Sequence, residues 1–593
     1  MKANTQAPFV VRPLVPEEVY TDRKEFIDYF YNAALEAAGR RTMSTVLLGH
    51  RRMGKTEIFK RVVNRLFFEQ NPKDPDAVVP VYYSFPEMPL DAGQFAIEYL
   101  ENFFRYYVGF YTSQPELILK ELAGQDLLSQ IKESRSQLPF TEMLDAALGW
   151  YKEIVNGRVP VPQRTALEGI RRVSDVDDTT TAVFIDEFQN TRMPQHNFDI
   201  VGLFQQAVES PTCPHFVTGS AMSILSREII GRGSLFGRFT GMDIKPLTEY
   251  WGAELALKAA KYYRVQVSET MAPIVAERCG GNPYYITAVV RQAGRQQKEI
   301  SDEDVLNKIL AVDLSSGFIW GELNDQVTRW IERINEHKIT KWILYLSALE
   351  EGDRLDLERI QRELKEKEGK EISLEAIRDV LVKLSRGDLV DYMELGGWFR
   401  KVDDPILVEF LKVWGRIEVE GFSAYRVQDT LVKSYSRLKR RFSEYQGYVA
   451  EVFMSQVLYS GQNKTLPGVF FHSPEDVQMP WRFFYLEHRL RPGAGDDREI
   501  DILGAAGPEE WVCESKWQKG KKASKEVVEL LISKAQAQLE RSKPLVVRTW
   551  LFSHDGLTEE AEALAKEAGV LWSSRTDLDG LLKHLGLRPL PDV

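Results

Sequence analysis

The sequence predicts a multidomain α/β fold, and three observations carry that prediction. The chain has 593 residues, and at roughly 150 residues per domain about four folded units are expected. Short apolar runs alternate with amphipathic helical stretches over the first 250 residues, the pattern of a parallel sheet with helical crossovers. After a strand-poor middle, strands return beyond residue 416 as an independent α/β domain. Hydrophobic residues make up 44% and charged residues 27%, with 40 Gly and 27 Pro spread along the chain. That composition is globular and excludes a disordered or fibrous chain.

No apolar run reaches the roughly 18 residues that span a bilayer. The N-terminal stretch MKANTQAPFVVRPLVPEE is broken by Pro, Arg and acids, so no export signal is expected and the cytoplasm is the default location. Cys213, Cys279 and Cys513 lie far apart without CxxC spacing, and the eight histidines form no ligand cluster. A disulfide scaffold, a zinc site and redox chemistry are therefore not expected. Lys and Arg total 76 against 87 Asp and Glu, a net charge of −11, so any nucleic-acid binding must be local.

Taken in order, residues 44–49 (STVLLG) read as a strand entering a glycine turn, followed by the helical pattern KTEIFKRVVNRLFFEQ. Further strands are expected at 78–85, 181–188, 215–220 and 239–247, with a mostly helical interval at 86–175 whose role the pattern does not reveal. Residues 251–332 read as a small helical domain broken at Gly280–Pro283. Residues 333–415 give three amphipathic helices and then two β-like runs around Gly396-Gly397, a two-residue hairpin signal. Three helices and a hairpin describe a winged helix. From 416 to 593 a long helix leads to strands near 469–472, 481–490, 498–504 and 510–515, then a helix at 524–541, a strand at 545–553 and a further αβ unit.

Gly49-His50-Arg51-Arg52-Met53-Gly54-Lys55-Thr56 fits GxxxxGK[ST] between a strand and a helix, the context in which a P-loop holds phosphate. Backbone N–H groups of the loop would cradle the phosphates of ATP, Lys55 would neutralise them, and the Thr56 hydroxyl would ligate Mg²⁺. The strand AVFIDEF brings Asp186 for the metal and Glu187 to activate water. Ser220, ending the next strand, is a candidate γ-phosphate contact.

These segments, with FVVRPLV…YTDRKEF, SLFGRFTGMDIKPLT, GGNPYYI and FRKVDDPIL, resemble the prokaryotic, archaeal-type ATPase family, a branch of the STAND and AAA-like P-loop ATPases. The resemblance covers roughly residues 8–415. It implies a P-loop NTPase sheet with a helical lid and a winged helix, closing on ATP and reopening after hydrolysis. It also implies Arg238 as a trigger or finger arginine, with Arg227 and Arg232 competing for the role, and Gly281 and Pro283 on the adenine side.

In the last domain, Arg498-Glu499-Ile500-Asp501 is followed by Cys513-Glu514-Ser515-Lys516. Strand side chains alternate, so Glu514 and Lys516 share a side. Asp501 and Glu514 supply hard oxygen ligands for magnesium, and Lys516 could orient or deprotonate water near a phosphodiester. Glu444 and Glu451 share a helical face upstream, and Glu451 could complete the metal shell. The arrangement resembles the PD-(D/E)XK nuclease superfamily, with Ile500 where the superfamily name has Pro. The resemblance implies a restriction-endonuclease-like fold.

The basic runs Lys433–Arg441 and Lys516–Lys525 read first as solvated faces. The third helix of the winged-helix candidate mixes Arg378, Lys383 and Arg386 with Glu375, Asp379 and Asp388, which favours a structural or regulatory module over a DNA reader. The functional expectation is an ATP-hydrolysing switch coupled to a magnesium-dependent nuclease acting on DNA, in genome defence or mobile-element control. Two alternatives stay open. One is a regulatory ATPase whose last domain binds nucleic acid or protein without cleaving; the other is a chaperone-like or signalling ATPase that forms a homo-oligomer on ATP binding.

Overall fold

The structure, a computed structural model, describes residues 8–139, 141–192, 196, 198, 200–219, 233–334, 339–369, 371–393, 396–490 and 499–591, the side chains of 368 and 438–445 excepted. Ser220, Arg227, Arg232 and Arg498, and the side chains of Lys439, Arg440, Arg441 and Glu444, lie outside this set. The chain divides into two compact units, residues 1–432 and 433–593.

The first unit is built on strands β1 (Thr45–Leu48), β2 (Val78–Ser84), β3 (Thr180–Asp186), β4 (His215–Thr218) and β5 (Thr240–Asp243). They form one parallel sheet in the order β2-β3-β4-β1-β5. β1 and β3 are buried along their whole length, which is why they read as unbroken apolar runs rather than alternating ones. Because the strands are parallel, the loop after β1 and the acids at the end of β3 emerge at the same edge of the sheet, with β4 between them. Helix α1 (Lys24–Glu36) contributes Phe30, and helix α2 (Lys55–Glu69) contributes Phe59, to an aromatic stack with Phe184 and Phe216 from the sheet. Edge-to-face rings of this kind fix α2, and with it Lys55, against the strands.

The helical interval at 86–175 has a physical role. Helix α3 (Ala92–Tyr111) starts at Asp91, whose carboxylate accepts the Gln94 N–H while Gln94 caps the Asp91 N–H in return. Its Phe95, Tyr99, Phe103, Phe104 and Tyr107 are buried in the same core as the sheet, and Asn102 donates to the Tyr82 carbonyl of β2 at 2.9 Å. The interval extends the apolar core over the β2 end of the sheet.

Five helices follow between Glu249 and Ile334. Asp313 is fully buried near the end of Glu303–Ser316, and its Oδ1 accepts the Ile319 N–H at 3.0 Å at the start of the helix Phe318–Ile334. Burial pushes its carboxyl up to about 7. The folded chain holds this proton where the unfolded chain has released it, so the stabilisation is complete at low pH and is lost as pH rises toward about 7. Asp313→Asn should remove that slope: its Tm relative to the wild type should rise between about pH 5 and pH 8, and a constant difference would show that the group titrates normally.

The helices Thr340–Leu349, Leu357–Glu368 and Leu374–Arg386 precede an antiparallel hairpin of β6 (Asp391–Met393) and β7 (Trp398–Arg400). Pairing of Met393 with Trp398 leaves four connecting residues, not the two that Gly396-Gly397 suggested. Both glycines do adopt positive φ, 99° and 65°. A bridge between Arg354 and Arg400 adds a third short chain to the hairpin.

The second unit takes up most of the helix Ala424–Ser460 and a small hairpin of β8 (Thr465–Leu466) and β9 (Val477–Gln478). Its main sheet runs β10 (Tyr485–Leu490), β11 (Ile500–Ala506), β12 (Glu509–Lys516), β13 (Val546–Ser553) and β14 (Leu571–Ser573) in that order. The first three are antiparallel and the last three parallel, so the sheet changes character at β12. Separate apolar clusters form around Trp511, Cys513 and Trp550 and around Val512, Leu531 and Leu551. The strand expected at 469–472 is instead a 3-10 turn, Gly468–Phe471. A Cβ at Gly468 would stand 2.2 Å from the Glu475 carbonyl oxygen, and His472 closes the turn with φ of 46°.

Candidate functional site

In the first unit the loop after β1 is shaped by two glycines. Gly49 packs so close to Ile244 that a Cβ would meet its Cγ2 at 2.3 Å, and Gly54 has φ of 91° at the entry to α2. Lys55 is buried and its Nζ donates to the carbonyls of Gly49 at 2.5 Å and His50 at 2.7 Å. Burial pulls its ammonium down to about 8. Asp186, at the end of β3, is buried and accepts from Tyr82 Oη at 2.9 Å, from the Glu187 N–H at 2.8 Å and from the Thr56 hydroxyl. Burial raises its proton affinity, and the adjacent Glu187 adds to the effect. Glu187 sits at φ of 53° and accepts from Gln189 Nε2.

Arg52, Met53, Gly54, Lys55, Thr56, Asp186, Glu187 and Pro283 all line one cavity of about 410 Å³. The Arg52 guanidinium donates to Glu322 at 3.0 Å and Gln326 at 3.2 Å and lies 5.3 Å from the Tyr284 ring centre. Gly281 is a packing position, since a Cβ there would meet the Leu247 carbonyl oxygen at 2.3 Å. Arg238 does not line the cavity; its Nε pairs with Glu209 at 2.8 Å.

Sequence reasoning missed the other wall. Leu14, Val15, Pro16, Val19, Tyr20 and Arg23 line the cavity together with Leu255 and Tyr263, and the Tyr20 hydroxyl and Arg23 Nε are buried without a hydrogen-bond partner. The signal was the opening FVVRPLV…YTDRKEF, whose residues were legible as a pattern but not as a surface.

In the second unit Asp501 on β11 accepts the Ser515 N–H at 2.7 Å. Glu514 on β12 is buried between two ammonium groups, Lys516 Nζ at 2.9 Å on Oε1 and Lys534 Nζ at 2.6 Å on Oε2. Burial first, and then the charge of Glu514, push the Asp501 carboxyl up to about 7. Glu451 is paired with Arg489 through both oxygens, at 3.2 and 3.3 Å. Among the described residues no group of three or more His, Cys, Asp or Glu is arranged to hold a metal ion. Asp501, Glu514 and Lys516 are thus brought together, and Glu451, close enough for its charge to act on Asp501 and Lys516, is paired with Arg489. Lys534, from the helix Lys525–Ser542, was not foreseen.

The parallel five-stranded sheet, the glycine loop running into α2 and the acids ending β3 define a P-loop NTPase α/β fold. No protein-family model matches the chain, and no curated protein matches it. Solved structures similar to it include a Walker-type ATPase of Pyrococcus abyssi, with TM-score 0.43 and 17% identity over 68% of this chain and 99% of that one. The Aeropyrum pernix ORC2 protein in its ADPNP–ADP complexes has TM-score 0.41 and 15% identity over 72% and 98%. The Thermotoga maritima RuvB Holliday junction branch migration motor has 0.28 and 14% over 67% and 94%. Among the described residues no helix is long and apolar enough to cross a membrane.

Proposed function

We propose that the chain is an ATP-binding and hydrolysing switch coupled to a magnesium-dependent nuclease domain that acts on DNA. The observation that carries the first half is the convergence of Lys55, Thr56, Asp186 and Glu187 on one cavity. The loop N–H groups and Lys55 bind and orient the phosphates, and Glu187 takes a proton from the attacking water. Thr56 and Asp186 offer the hard oxygen donors that fit Mg²⁺ and would hold it, and the ion when bound neutralises phosphate charge. The apolar wall of Leu14, Val19 and Leu255 suits a nucleobase. The domain division that goes with this reading is a P-loop ATPase domain at 1–250, a helical lid at 251–332, a winged helix at 333–415 and a nuclease-like domain at 416–593.

Arg238 is the candidate finger. It does not line its own chain's cavity, so it would act on a neighbouring copy in a homo-oligomer. Arg238→Ala should lower ATP turnover with little change in nucleotide affinity, since such an arginine meets charge that develops mainly in the transition state. Recovery of activity on mixing Arg238→Ala with Glu187→Gln would place the residue in trans, whereas wild-type turnover by Arg238→Ala alone would remove it from the mechanism.

For the nuclease half, Asp501 and Glu514 would hold a divalent cation and Lys516 would orient or deprotonate water. The closeness of the two carboxyls, near enough for the charge of Glu514 to act on Asp501, supports this fit. The pairing of both Glu514 oxygens with lysines, and of Glu451 with Arg489, favours a second reading: a regulatory ATPase whose last domain binds nucleic acid or protein without cutting. Incubation of plasmid DNA, linear DNA and RNA with Mg²⁺, Mn²⁺ or EDTA, each with and without ATP, separates the two. Metal-dependent cleavage supports the nuclease, and intact substrates throughout support the binding module.

A further inference from the structure

The buried ammonium of Lys534 has no place in the water-activating or metal-holding roles above. Its side chain is only 6% exposed, and its Nζ lies 2.6 Å from Oε2 of Glu514, itself 5% exposed. The opposite oxygen meets Lys516, whose side chain is 31% exposed. Lys534 belongs to the inward face of Lys525–Ser542, with Val528, Leu531 and Gln538, and Gln538 is itself tied to Glu510 at 2.8 Å. Two cations of different mobility therefore share one carboxylate, one fixed by packing and one reaching the surface. The third acid in the neighbourhood, Glu451, is engaged by Arg489.

From this arrangement, and resting on the nuclease reading of the same site, we infer that Lys534 is a resident counter-ion that sets the divalent-cation affinity of the Asp501–Glu514 pair. A dication entering beside Glu514 must work against a buried positive charge that cannot swing away, whereas Lys516 can. Like charges a few ångströms apart in a partly desolvated site repel more strongly than they would in water. The carboxylate pair alone is then a weak cation site. A phosphodiester supplies the missing negative charge and oxygen ligands, so cation and nucleic acid enter together. Lys534 is a positioning residue in this scheme, since it acts through Glu514.

The test is titration of the full-length protein with Mn²⁺ alone, followed by calorimetry or electron paramagnetic resonance, with circular dichroism as a check on folding. Lys534→Met and Lys534→Gln should each bind Mn²⁺ at least tenfold more tightly than the wild type, and Lys534→Arg should stay near the wild-type value. The glutamine variant keeps a donor to Glu514 without the charge and covers the case in which methionine disrupts folding. A purely structural lysine would leave affinity unchanged or weaken it on removal, and either result in a folded variant overturns the inference. Asp501→Ala, introduced into each background, locates the ion: if it leaves Mn²⁺ binding intact everywhere, the cation lies elsewhere and the nuclease reading fails instead.

Discussion

Glu187→Gln is expected to bind ATP as the wild type does and to hydrolyse it about 10²–10⁴-fold more slowly, because only the proton acceptor for the attacking water is lost. The amide can still accept from Gln189 Nε2, and the positive φ of Glu187 is set by the backbone at the end of β3, so the loop should keep its course. Lys55→Ala should do the opposite. Its Nζ, now bonded to the Gly49 and His50 carbonyls, is the one buried ammonium at the phosphate end of the cavity among the described residues, and its removal should weaken ATP binding by tenfold or more. Calorimetric nucleotide titration beside phosphate release checks both. Wild-type turnover by Glu187→Gln would end its assignment as the base, and unchanged affinity in Lys55→Ala would remove the P-loop from nucleotide binding.

Asp501→Ala is expected to abolish metal-dependent DNA cleavage while sparing ATP hydrolysis, since the two sites lie in separate compact units. The loss should reach the detection limit, because the carboxylates that remain are already paired, Glu514 with two lysines and Glu451 with Arg489. Lys516→Ala should also lose cleavage but retain cation binding, as an ammonium is not a metal ligand. Gel-based cleavage run in parallel with an ATPase assay reads both activities from one preparation. Equal cleavage by wild type and Asp501→Ala would assign the nuclease activity elsewhere.

What the sequence disclosed follows from how local each signal is. The phosphate loop and the Asp186-Glu187 pair were legible because each consists of consecutive residues between a strand and a helix, and the structure brings Lys55, Thr56, Asp186 and Glu187 to one cavity. The wall formed by Leu14, Val19 and Tyr20 was not legible, because it joins Leu255 and Tyr263 only through folding. Lys534 was hidden for the same reason: its partner Glu514 is 20 positions earlier, and its helical face reads as an ordinary amphipathic one. The misread strand at 469–472 shows the limit of apolar runs as a signal. Gly-Val-Phe-Phe suits a strand, but Pro467 before it and the left-handed His472 after it curl it into a turn.

The strand order has a consequence for the life of the chain before it is complete. β1, which carries the phosphate loop, is synthesised first of the five strands, yet its two neighbours are β4 and β5. Leu47 bonds to Thr218 across 171 positions. As the polypeptide emerges from the ribosome, β1 has no strand to pair with until Thr218 has been made and gains its second neighbour only with Asp243, while β2 and β3 can pair with each other first. Contacts of such long range close slowly and leave apolar edges open to other chains. Nascent chains halted just before β4 should therefore be protease-sensitive and prone to aggregate, and those halted beyond it should gain protection around β1 abruptly rather than by degrees.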